Sequence, residues 1–295
     1  MQRGGKLKNK KLIVNITIIL SLVLMFNAFA YGDSTKVVTL GKNLNEDQRK
    51  QMLNLFNVSK DEATIIEVNN EEERKYLEGV ASEGQLGKIT ISSSYVELLE
   101  EGSGIDVQTY NISWATEEMY SSALITAGVR DAKVIAAAPY PVSGTGALTG
   151  ILKAFEQATG IEISEDQKKV ANEEIIQTGE LGEIIGKEKA SELIREVKEK
   201  VIEKNVKAPE EIKKIIIEIA GKLDINLNTN QIKEITKLME KISNLNLNTE
   251  QIKEQLKGIG QKLDETLKNN KEVKSLLQKI LDAIKEFFNS LLKRK

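Results

Sequence analysis

The chain has 295 residues, with 42 Lys and Arg against 44 Asp and Glu, no histidine and no cysteine. The two absent residue types exclude disulfides, thiol nucleophiles, zinc sites built on Cys or His, and every catalytic triad with a histidine base. A formal charge of −2 offers no excess of cations for nucleic acid, which is not expected as a partner.

Residues 1–30 place Arg3, Lys6, Lys8, Lys10 and Lys11 ahead of an apolar run, Leu12 to Phe26, that closes on Ala28-Phe29-Ala30. A basic stretch, an apolar stretch and an A-x-A site make a signal peptide, so the mature chain is expected to start at Tyr31, outside the cytoplasm. The alternative is an uncleaved anchor, since the apolar run is long for a signal. Without cysteine the N-terminus carries no lipid, and no later apolar segment approaches the roughly 20 residues that span a bilayer. The charge then divides: residues 31–158 hold 11 Lys/Arg against 19 Asp/Glu, and residues 159–295 hold 26 against 25. Such a shift marks a domain boundary, placed here at residue 160.

Strand and helix alternate from Lys36. Lys36 to Leu40 reads as a strand, Asn45 to Phe56 as a helix capped by Asn45 with Gln48 three residues on, Thr64 to Val68 as a strand, and Asn70 to Leu77 as an acidic helix. Lys88 to Leu99 and Ile105 to Ile112 are β-rich runs around Gly102-Ser103-Gly104 and predict a hairpin. A helix starts at Ser113 or Thr116 and ends near Gly128; Val134 to Ala138 predicts a strand covered on both faces. Pro139 and Pro141 are expected to stiffen a turn into the next helix. The sum is an α/β domain over 31–160 with a mixed sheet of about five strands.

No strand is expected after Gly160. Instead a helix starter recurs as Ser164-x-x-Gln167, Asn228-x-x-Gln231 and Asn248-x-x-Gln251, the last two within a duplication spaced by twenty residues. Helices are predicted over 164–177, 187–204, 209–222, 228–243, 248–268 and 271–292, giving an all-α domain over 161–268 and a terminal helix over 269–295. That last helix carries one wide apolar face, and Lys268 to Lys295 holds eight Lys/Arg against three Asp/Glu. It suits a membrane surface or an envelope protein partner; closing the helical bundle is its commoner use.

One stretch could hold a ligand. Ser143-Gly144-Thr145-Gly146-Ala147-Leu148-Thr149-Gly150 sits at a strand-to-helix junction, where backbone amides and the helix N-terminus favour phosphate or carboxylate. Ser143, Gly144, Thr145, Gly146 and Thr149 are the candidate binding residues, with Lys153 one turn on. The spacing G-x-G-x-x-x-G is neither a P-loop nor the dinucleotide fingerprint, and a structural reading makes Ser143 or Thr145 the helix cap. Ser143 lacks the G-x-S-x-G context of a hydrolase nucleophile and would need a lysine base. Glu100, Glu101, Glu117, Glu118 and Asp131 leave carboxylate chemistry open, and Trp114 with Tyr110, Tyr120 and Tyr140 forms either an aromatic rim or core. No catalytic residue, metal site or cofactor is assigned.

The segments V-T-L-G (38–41), N-I-S-W-A-T-E-E-M-Y-S-S-A-L-I-T-A-G-V-R-D-A (111–132), P-V-S-G-T-G-A-L-T-G (141–150) and I-S-E-D-Q-K-K-V-A-N-E-E (163–174) resemble the YpuA-like family, domain of unknown function 1002. At Gly146 another small residue such as alanine is expected in that family. The resemblance implies a secreted or envelope-associated protein of Gram-positive bacteria and brings no reaction with it. The chain is therefore expected to be an extracytoplasmic, non-enzymatic binding protein; the alternative is an envelope hydrolase or anion-binding enzyme using the 143–150 loop.

Overall fold

A computed structural model describes residues 35–261 other than Lys60, so the expected leader and the basic segment expected to form the terminal helix lie outside the described residues. The chain runs β1 (Lys36–Gly41), α1 (Glu46–Phe56), β2 (Thr64–Val68), α2 (Asn70–Leu77), α3 (Glu83–Leu86), β3 (Ser93–Leu98), β4 (Ile105–Ile112), α4 (Glu117–Thr126) and β5 (Ala132–Val142). Then come α5 (Ala147–Thr159), α6 (Glu165–Ile185), α7 (Lys187–Glu203), α8 (Pro209–Lys222) and α9 (Thr229–Asn244), and residues 249–261 are helical. A five-strand mixed sheet followed by helices is the fold class expected, and among the described residues no strand follows Gly160.

The sheet order is β2-β1-β3-β5-β4, with β1 parallel to β2, β5 parallel to β4, and β3 antiparallel to both of its neighbours. This corrects the predicted hairpin: β3 and β4 are separated by β5. The reason lies in β5, whose Ala136, Ala137 and Ala138 are wholly buried and so belong inside the sheet. The prolines are corrected too, since β5 continues through Pro139 and Pro141 to Val142 instead of turning at Ala138. Beyond Ala137 it has left β3, so the missing amide hydrogens interrupt no ladder on that side.

Period-two alternation sends Val37, Val96, Val134 and Ala136 to one face and Val38, Tyr95 and Ala137 to the other. α1 covers the second face with Met52 and Phe56, whose ring stacks on Tyr95 at 6.1 Å between centroids. On the first face α5 lies over β1 and β3, and Gly150 permits the approach, since a methyl group there would sit 2.7 Å from Thr39 Oγ1. Side chains from α4 to α9 and from residues 249–261 join this same apolar cluster, which extends from Val37 to Leu256. Fully burying one such Leu, Ile or Val side chain is worth about 1.5–3 kcal/mol.

The predicted starters cap as expected. Asn45 with Gln48, Ser164 with Gln167 and Asn228 with Gln231 form complete capping boxes, and Asn248 accepts from Gln251 N at 3.3 Å. α6 overruns its predicted end at 177 because its later residues, Thr178, Gly179, Leu181 and Gly182, stay buried against neighbouring elements.

Candidate ligand-binding site

β1, β2, β4 and β5 point the same way, so the 143–146 loop leaves the sheet at its carboxyl edge, the usual ligand side of an open α/β sheet. The loop is nevertheless filled from within. Thr145, 2% exposed, donates to the Gln85 carbonyl at 2.8 Å, Tyr120 donates its phenol to the Gly144 carbonyl, and Ser143 Oγ stands 3.4 Å from Thr145 Oγ1. Gly144 has φ +89°, and a methyl group on it would meet Ile112 at 2.4 Å.

Neither Ser143 nor Thr145 caps α5; the N-cap is Gly146 and no side chain bonds to it. What faces this helix end is a carboxylate. A methyl group on Gly146 would lie 2.4 Å from Glu73 Oε1, so alanine does not fit there while Glu73 stays in place. Glu73 is 4% exposed, and burial pushes its pKa up to about 7 against the pull of the Thr90 hydroxyl and the Asn70 amide. The helix end that the sequence offered to an anion is thus occupied by a carboxyl group of α2.

Thr149 and Lys153, one turn apart on α5, both line a cavity of about 290 Å³. α2 contributes Glu72, Lys75 and Tyr76, α5 adds Leu152 and Glu156, and α6 supplies Glu165 and Lys168. Lys153 Nζ lies 2.5 Å from Glu72 and donates to the Glu67 carbonyl at 2.7 Å; Lys75 is 2.5 Å from Glu165, and Lys168 2.8 Å from Glu156. The Lys75 and Lys168 ammoniums stand 5.0 and 5.9 Å from the Tyr76 ring centre. Hydrogen bonding to Lys75 holds the Glu165 carboxyl below its ordinary range. Thr149 is 5% exposed, and its Oγ1 has no hydrogen-bond partner.

A second polar cluster joins α4, α6 and α7. Lys198, 0% exposed, donates to Glu174 Oε1 at 2.7 Å, Ser122 Oγ at 2.7 Å, the Ser122 carbonyl at 2.8 Å and Thr126 Oγ1 at 3.0 Å. Ser122 and Thr126 in turn donate to the two oxygens of Glu174, at 2.6 and 2.5 Å. Burial lowers the Lys198 pKa, which is the tuning a lysine base needs beside a serine. All four residues are sealed from solvent, and the bonds satisfy every donor.

Of the remaining candidates, Glu100 and Glu101 are exposed and Glu118 is half-buried, whereas two other carboxylates hold loops and strands in place. Asp131 accepts the amides of Gly102 and Gly104, and Glu117 accepts that of Thr109. The aromatic group is split: Tyr110 and Tyr140 are exposed, Tyr120 is buried, and Trp114 lies on Gly179 with Nε1 2.7 Å from Glu183. Sequence reasoning missed Glu73, Tyr76, Lys168 and the Lys198 cluster. The available signal was Lys198 itself, standing where Ile194, Val197 and Val201 trace an apolar face.

The profile of a family described as "Protein of unknown function (DUF1002)" matches residues 40–259, from β1 into the helix that follows α9. The chain is 37% identical over 287 residues to a protein of Bacillus subtilis (strain 168) named "Uncharacterized protein YpuA", across 96% of this chain and 98% of that one. No solved structure matches.

Proposed function

This chain belongs to the DUF1002 family of proteins of unknown function, and from that premise we propose that it is an extracytoplasmic envelope protein that works by binding a small ligand. The observation that carries the binding reading is the cavity beside α5, lined by three lysines, three glutamates and Thr149, whose buried hydroxyl has no partner. The loop that first suggested an anion site supports it indirectly: its own turn is closed by Glu73 and Tyr120, while Thr149 and Lys153 at its helical end open on the cavity.

The location rests on the signal-like composition of residues 1–30, and attachment on the basic, amphipathic 269–295 segment. Among the described residues no helix is long and apolar enough to cross a membrane. Fractionating cells that express the full chain tests both. The reading expects protein outside the cytoplasm beginning at Tyr31, membrane-held when intact and released when residues 268–295 are deleted. Cytoplasmic protein that keeps residues 1–30 refutes the location; equal release of both forms refutes membrane attachment.

A further inference from the structure

The charge pattern of the cavity narrows what it can take. Three lysines and three glutamates line it, so its walls are neutral overall, and each ammonium is held by a carboxylate of a neighbouring element. A bare anion entering would set its charge beside Glu72, Glu156 and Glu165; a bare cation would meet the same difficulty with the lysines. A ligand carrying both charges replaces an existing pair on each side and leaves no group uncompensated. At about 290 Å³ the cavity stands at the lower end of the roughly 300–1,000 Å³ of ligand pockets, the scale of a small molecule.

Thr149 provides the second observation. Its hydroxyl is buried and unpartnered on the first turn of α5, in a residue that lines the cavity. A buried polar group without a partner is destabilising, and a ligand that accepts its hydrogen relieves that cost. The geometry points to a free amino acid or dipeptide, with its carboxylate toward Thr149 and the Lys153 ammonium and its ammonium toward Glu72 and Glu156. This inference rests on the binding reading above and names its ligand class.

Calorimetric titration of the full chain at pH 7 and low salt, with alanine, alanyl-alanine, acetate, ethylammonium and inorganic phosphate as probes, tests it. Alanine or alanyl-alanine should bind and the singly charged probes should not. Thr149→Val should weaken binding at least about tenfold with no loss of thermal stability, and Thr149→Ser should bind as the native chain does. Acetate or phosphate binding as tightly as the zwitterions, with the same Thr149 dependence, overturns the ligand class and leaves the binding reading standing. No heat from any probe, or equal affinity in Thr149→Val, overturns the site itself, and cell fractionation judges the location separately.

Discussion

Two clusters in this molecule use the same chemistry, a lysine, a glutamate and a hydroxyl, to opposite ends. Around Lys198 each donor meets an acceptor; around Lys153 the ion pair is about a third exposed, and Thr149, a residue of the cavity wall, keeps a buried hydroxyl with nothing to bond. A satisfied, sealed network fixes how helices meet, whereas one left incomplete beside open volume can receive something else. Residue type alone does not separate the two, but burial and hydrogen-bond closure do.

The largest effect should come from breaking the sealed cluster. Lys198→Met strands a buried carboxylate and should cost about 3–5 kcal/mol in urea unfolding, with most of it recovered in the Lys198→Met, Glu174→Leu double variant. Equal loss in both would assign the effect to shape and weaken the contrast. Next is Glu73. Its folded pKa, about 7, lies above the ordinary 4.5, so its contribution is whole below pH 4.5 and is lost as the pH rises through 7. The stability of Glu73→Gln relative to the native chain should therefore rise by about 3 kcal/mol between pH 4.5 and 8. A flat difference would mean that the α5 N-terminus, not burial, governs this carboxyl.

Gly146→Ala should cost about 1–3 kcal/mol through its collision with the Glu73 carboxylate, and little in a Glu73→Ala background. Thermal unfolding of the three variants decides it, and an unchanged cost in that background would place the clash elsewhere. Lys153→Met removes a part-exposed pair and should cost less than about 1 kcal/mol, far below its counterpart at Lys198. Thr149→Val differs in sign: it should lose no stability and gain up to about 1–3 kcal/mol, because it removes a buried hydroxyl that bonds to nothing in the native fold.

The strand and helix pattern was legible because burial acts at short range: Thr64–Val68 and Asn70–Leu77 follow directly from apolar spacing and a cap. The order of strands was not. Gly102-Ser103-Gly104 turns the chain as a hairpin loop would, but local turn chemistry cannot announce that β5, thirty residues on, enters between β3 and β4. The candidate site was half legible in the same sense. Glycine spacing led to the strand-to-helix junction and to Thr149, but the group that fills the turn comes from α2, and the cavity joins the consecutive helices α5 and α6 to that same distant helix. What was written locally is the spacing within each helix: Thr149 with Lys153 and Glu72 with Tyr76 at i, i+4, and Glu165 with Lys168 at i, i+3.

The most direct test follows both clusters in one experiment. In a ¹³C-methyl and ¹⁵N NMR titration of the full chain with alanyl-alanine, Thr149, Tyr76 and Lys168 should shift together and saturate, while Ser122, Thr126 and Lys198 stay still. Saturable shifts at the Lys198 cluster with none at Thr149 would contradict the account.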